Sequence, residues 1–251
     1  MKPVHVGDAL LEEFKKLPVA TIWGTVQSTL GIPFPFMEGV NLIFAPGGKR
    51  LAARARTLRF HPMRPDLIAE VRDNENSPEY RAMARCGPGD VLVADQQGVR
   101  YAGIAGDVKL LQLKMNKAEG LVTDGAIRDM SVLRDETYDL IVYAQGRTPY
   151  GQQPWGEPSE ENIDIQCGGA LVRPGDVIVG DEDGVVVVPS WFAEECLEIT
   201  KEHEEAEAWV KAKTVAENGI PGKYYGNNLM ENYRNRDTDS RVQKKGTGKI
   251  I

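Results

Sequence analysis

One phrase occurs twice in the chain, as Cys86-Gly-Pro-Gly-Asp90-Val-Leu-Val-Ala-Asp95 and as Arg173-Pro-Gly-Asp176-Val-Ile-Val-Gly-Asp181. Each copy sets a Pro-Gly-Asp turn before a short apolar run that closes on an aspartate. Proline and glycine supply the turn geometry, and the apolar run then enters a core as a strand. Two such strand starts do not make a solenoid, which needs a fixed period over several units. They fit one mixed α/β domain with internal pseudo-symmetry. With 251 residues, 41% of them apolar and 27% charged, the chain has material for a sizeable soluble core.

Around these strands, residues 9–17 read as a short opening helix, followed by the apolar run 19–22. The proline- and glycine-rich stretch 33–48 reads as loop, 51–60 as a pair of strands, and 74–85 as helical, with Tyr80, Met83 and Ala84 at helical intervals. Residues 143–162 form the longest irregular segment, suited to a surface loop or an intersubunit contact. A helix starts near Ser190 with Phe192, Cys196, Leu197 and Ile199 on one face, and 201–213 is dense in glutamate and lysine. Beyond Gly219 the chain is polar, and its final dozen residues are expected to be unordered. The division expected is an α/β domain over 1–189 and a C-terminal helix and tail over 190–251.

Residues 103–129, GIAGDVKLLQLKMNKAEGLVTDGAIRD, carry the chemistry. Twenty residues separate Asp107 from the adjacent Arg128-Asp129 pair. Leu110, Leu111, Leu113 and Met115 predict a helix that starts near Asp107 and runs for three to four turns toward Gly120; residues 121–123 then form a buried strand that brings the chain back. Asp107 would cap that helix, and the amides of Val108, Lys109 and Leu110 would face outward as donors for an anion. Taken singly, an aspartate at a helix start is a cap and an Arg-Asp dipeptide a surface ion pair.

The D-X20-R-D spacing and the GLVTDGAIRD stretch resemble the RraA-like family, which includes class II pyruvate aldolases acting on 4-hydroxy-4-methyl-2-oxoglutarate. RARTLRF at 54–60, GDVLVAD at 89–95 and VRPGDVIVGDEDGVVVVP at 172–189 resemble further blocks of that family in the same order, so the likeness covers about residues 20–215. It implies a compact mixed α/β sandwich resembling the swivelling phosphohistidine-domain fold, with a C-terminal helical extension, assembled as a homotrimer or homohexamer. It also implies a metal-dependent lyase that cleaves a 2-oxo acid by retro-aldol reaction or β-decarboxylation through a pyruvate enolate. Asp129 would be the direct Mg²⁺ or Mn²⁺ ligand, because hard cations favour carboxylate and water oxygens. Asp107 would hold the metal through a water, and Arg128 would stabilise the developing enolate. Gly106 and the amides of Val108, Lys109 and Leu110 would receive the substrate carboxylate. A glutamate of the C-terminal helix would reach the neighbouring subunit's site; Glu204, Glu205 and Glu207 qualify, and Glu205 is preferred. The family's Thr-x-x-x-Asp-Ala pattern near the N-terminus is replaced here by Thr21-Ile-Trp-Gly-Thr25.

Other chemistries find less support. A Schiff-base lysine is poorly indicated, since Lys109 stands beside a helix start. Cys86, Cys167 and Cys196 lack CxxC spacing and read as reduced structural thiols, and His5, His61 and His203 are dispersed, which argues against a zinc hydrolase. No glycine-rich strand-to-helix turn with a ribose-binding acid is present, so a methyltransferase finds no cofactor cradle. A noncatalytic regulator, like the family member that inhibits RNase E, is the alternative. A net charge of −7 argues against nonspecific nucleic-acid binding, and no apolar run approaches membrane-spanning length. The N-terminus lacks the order of a secretion signal, so a cytoplasmic enzyme with a small-molecule substrate is expected.

Overall fold

The computed structural model describes residues 2–134 and 138–236. After helices α1 (Asp8–Phe14) and α2 (Val19–Leu30) come β1 (Asn41–Phe44), β2 (Leu51–His61), α3 (Pro65–Val71), α4 (Pro78–Arg85), β3 (Asp90–Asp95), α5 (Asp107–Met115) and β4 (Gly120–Thr123). The chain continues through β5 (Ala126–Ile127), α6 (Met130–Leu133), β6 (Ile141–Ala144), β7 (Gly146–Arg147), β8 (Glu157–Glu161), β9 (Ile165–Cys167), β10 (Ala170–Val172), β11 (Val177–Asp181), β12 (Gly184–Val188) and α7 (Ala193–Ala216). It divides between Leu197 and Glu198 into two compact units.

The first unit is built on one sheet ordered β1-β6-β4-β3-β2-β11-β12, with β8 also paired to β2. Strands β2, β3, β4 and β6 run parallel, while β1, β8, β11 and β12 join antiparallel. Upstream of β1, Met37 N donates to Val185 O at 2.9 Å and Val187 N donates to Pro35 O at 2.8 Å, so this segment lies along β12. Residues 38–40 alone connect it to β1 at the other end of the strand order, a reach of about 14 Å at most. The sheet therefore curls until its ends approach. Strands β3, β4 and β6 are buried on both faces, as their apolar runs require, while β2 carries Arg54, Arg56 and Arg59 among its apolar residues. Leu92 and Ala94 of β3 join a core with Leu110 and Leu113 of α5 and Met83 of α4, whereas Val91 and Val93 point into a second core with Val122, Tyr143, Ile178 and the β9–β10 hairpin.

The repeated phrase builds β3 and β11, and both flank β2. The two turns are made alike. Asp90 Oδ2 accepts Gly87 N at 3.2 Å and Asp176 Oδ2 accepts Arg173 N at 2.9 Å, while Gly89 and Gly175 hold φ of 73° and 89°. The closing aspartates also match, Asp95 accepting Gln97 N and Asp181 accepting Asp183 N, each at 2.9 Å.

Several local expectations are corrected. The stretch 33–48 contains β1, and 51–60 is a single strand rather than a pair; the run 19–22, assigned no element above, opens the helix α2. The segment 143–162 holds the end of β6 together with β7 and β8. Helix α5 stops at Met115, short of Gly120. Lys117 takes the left-handed conformation at φ 58°, Ala118 N bonds to Leu113 O and Lys117 N to Lys114 O, a Schellman closure in which lysine stands where glycine is usual.

Within the second unit, Ala206 and Val210 of α7 pack with Leu229 and Tyr233, flanked by Trp209, Tyr224 and Met230. The stretch after Gly219, read as polar, thus contributes aromatic and aliphatic residues to a small core. The final dozen residues, expected to be unordered, lie outside the described residues. Among the described residues no helix is long and apolar enough to cross a membrane.

Candidate active site

Helix α5 begins immediately after Gly106, which is its N-cap. Asp107 is therefore the first helical residue; no side chain caps this end, and the expected capping role of Asp107 is not what the structure shows. Leu110 N is also removed from the set of free donors, because it bonds to Gly106 O at 3.0 Å inside the helix. The amides of Asp107, Val108 and Lys109 remain as the first-turn donors that a helix cannot satisfy internally. Val108 is exposed, Asp107 and Lys109 are half-buried, and Leu110 lies in the core.

The other half of the site arrives through β4 and β5. Arg128 N bonds to Ala105 O at 3.4 Å, and Asp129 follows in the left-handed region at φ 58°, as the N-cap of α6. This is an uncommon conformation for a residue with a side chain, although aspartate tolerates it better than most. Gly106 brings the halves together. A Cβ built on it would overlap Asp129 Oδ2 and come within 2.9 Å of Arg128 Nε, so a side chain here would displace both groups. Asp129 is thereby placed beside the residue that precedes Asp107. Arg128 Nε lies 3.3 Å from Asp129 Oδ2, with both side chains partly exposed.

Lys109 turns away from this cluster. Its Nζ donates to Glu79 Oε2 at 2.9 Å and to Gln152 Oε1 at 3.2 Å, which holds its ammonium in an ion pair with a buried carboxylate. Neither Glu79 nor Gln152 was identifiable from sequence, since they stand 30 and 43 positions from Lys109 on other elements. Glu205 lies in the second unit, where it accepts a hydrogen bond from Tyr233 Oη at 2.9 Å. Glu207 lies 3.5 Å from Lys211 and 3.7 Å from His203. All three cysteines are buried and free; burial pushes the Cys86 thiol up to about 12, which suits an inert packing role.

Among the described residues, no three His, Cys, Asp or Glu converge so as to hold a metal. The carboxylate of Asp129 lies against Gly106, and Asp107 is the next residue along the chain, so two carboxylates are available here. That sparse oxygen set fits a hard cation that keeps most of its own water, as Mg²⁺ does, and does not fit zinc.

The curled α/β sheet thus brings Arg128 and Asp129, at the end of β5, against the residue that opens α5. The chain belongs to the RraA-like family described as Aldolase/RraA, which it matches over residues 35–187. A Halalkalibacterium halodurans protein provisionally named 4-hydroxy-4-methyl-2-oxoglutarate aldolase is 34% identical over 161 residues, covering 64% of this chain and 75% of that one. The structure of Streptomyces coelicolor RraAS2, described as an unusual member of the RNase ES inhibitor RraA protein family, matches with a TM-score of 0.73 at 29% identity, over 83% of this chain and 98% of its own. A protein from Pseudomonas syringae pv. tomato shares the fold, with a TM-score of 0.74 at 20% identity over 89% of this chain and 95% of its own.

Proposed function

We propose that this chain is a divalent-metal-dependent carbon-carbon lyase that releases pyruvate from a 2-oxo acid by retro-aldol cleavage or β-decarboxylation, acting as a homotrimer or homohexamer in the cytoplasm. The observation that carries the reading is the contact of Gly106 with Arg128 and Asp129, which joins the first turn of α5 to the guanidinium and the second carboxylate. The aldolase name given to the Halalkalibacterium halodurans relative supports the same reaction class.

In this reading the amides of Val108 and Lys109 bind the substrate carboxylate, as helix-start donors do. Arg128 donates its planar N–H groups to the keto oxygen, where negative charge develops as the carbon-carbon bond breaks. Asp129 and Asp107 would hold Mg²⁺ or Mn²⁺, which when bound supplies Lewis-acid stabilisation of the enolate. Charge balance favours this. Asp107 and Asp129 outnumber Arg128, so the bare site repels an anionic substrate, and a divalent cation reverses that sign. Glu205 of a neighbouring copy would assist proton movement.

The test is pyruvate release from a panel of 2-oxo acids, among them 4-hydroxy-4-methyl-2-oxoglutarate and oxaloacetate. EDTA should abolish turnover and Mg²⁺ or Mn²⁺ restore it, while thiol alkylation has little effect. Full turnover by a metal-stripped preparation rules the mechanism out. The likeness to RraAS2 favours one other reading, a noncatalytic regulator. No turnover on any member of the panel, with inhibition of an RNase E-type nuclease, would establish that reading instead.

A further inference from the structure

We infer that Gln152 is a positioning residue for this site: with Glu79 and Lys109 it locks the loop passing beside Arg128 to the first turn of α5. The consequence for turnover rests on the proposed function, whereas the lock stands on geometry. Gln152 Nε2 donates to Glu79 Oε2 at 2.9 Å and to Ile104 O at 3.2 Å, and its Oε1 accepts Lys109 Nζ at 3.2 Å. One half-buried amide thus bonds to α4, to the strand-like segment leading into Gly106, and to the third residue of α5.

The loop is also fastened just ahead of that side chain. Thr148 N bonds to Ile127 O at 3.0 Å, one residue before Arg128, and Gly103 N bonds to Gly151 O at 3.3 Å. A Cβ at Gly103 would overlap Tyr150 O, so the loop backbone lies directly on this segment. A Cβ at Gly151 would meet Arg128 Nη1 at 3.6 Å, which places the loop within van der Waals reach of the guanidinium. The segments delivering Asp107 and Arg128, already joined by the Ile104 N–Ala126 O and Arg128 N–Ala105 O bonds, are therefore both held by a third segment, and Gln152 is the side chain that ties that segment to α4 and α5. Glu79 is buried and needs its partners, so the lock is costly to open.

Gln152→Met keeps the length of the side chain and removes all three hydrogen bonds. Amide hydrogen exchange should then quicken about tenfold in residues 103–110 and in 148–156 together. Gln153→Met, in the same loop, should leave both segments at the wild-type rate. Exchange that quickens in neither segment, or in only one, overturns the lock. Gln152→Asn, which retains the amide but shortens its reach, carries the same expectation if the methionine variant does not fold. On a 2-oxo acid that the wild type cleaves, the kcat of folded Gln152→Met should fall about tenfold or more, with KM changed less. An unchanged kcat overturns the positioning role. If the wild type cleaves no 2-oxo acid, the proposed function fails, and hydrogen exchange still decides the lock.

Discussion

At the scale of single residues, the proposed reaction depends on what Arg128 would donate and on what Gly106 lacks. Arg128→Lys keeps the charge and loses the planar fork, so turnover should fall on the order of a hundredfold, with circular dichroism unchanged because the side chain is partly exposed. Gly106→Ala places a methyl group on the Asp129 carboxylate and should weaken metal affinity and turnover together, which metal titration of the variant would show. Asp107, Arg128 and Asp129 were legible in the sequence because their spacing is a pattern along the chain. The Glu79 and Gln152 partners of Lys109 were not, since only the fold brings them near. Asp124 offers a different test. Burial raises its carboxyl above the usual 3.8, although Gln96 N, Gly98 N and Gln166 Nε2 all donate to it. The folded chain then holds that proton more tightly than the unfolded chain does. Its contribution to stability is fully present below the unfolded value and is lost as pH rises through the folded one. Urea unfolding across that range should show the wild type losing stability relative to Asp124→Asn as pH rises; a constant difference would mean that Asp124 does not titrate there.

At the scale of elements, the two Pro-Gly-Asp phrases predicted β3 and β11 because a turn and an apolar run are local properties. Helix α2 was missed for the converse reason. Its β-branched Val19, Thr21 and Ile22 mimic a strand start, and only burial of Val19, Ile22 and Val26 on one helical face resolves the choice. The end of α5 was missed because the residue that closes it, Lys117, carries no glycine signal. Asp90 does more than shape its turn. It bonds to the largely buried Arg54 at 2.9 Å and to Arg56 at 3.0 Å. Among the described residues, Asp90→Ala would leave Arg54 with only Asp8 as a charged partner and should cost about 3 kcal/mol, read as a lowered urea midpoint with an unchanged slope.

At the scale of the whole molecule, subunit mixing tests whether one copy holds a complete site. If Glu205 of a neighbour completes it, Arg128→Ala and Glu205→Ala chains should each be inactive alone, and a mixture allowed to exchange subunits should recover turnover. Tyr233→Phe removes only the hydrogen bond to Glu205 and should leave the enzyme active. Full activity of Glu205→Ala by itself would show that each chain acts without this glutamate.

The central strand β2 has one edge taken by β3, while the other is shared by β11 over Leu51–Arg54 and β8 over Leu58–His61. During synthesis the first edge can be filled soon after residue 95 leaves the ribosome. The second stays bare until β8 emerges past residue 161, and over Leu51–Arg54 until β11 emerges past residue 181. An eleven-residue strand thus waits half-paired through much of translation, exposed to the pairing between chains that bare edges invite.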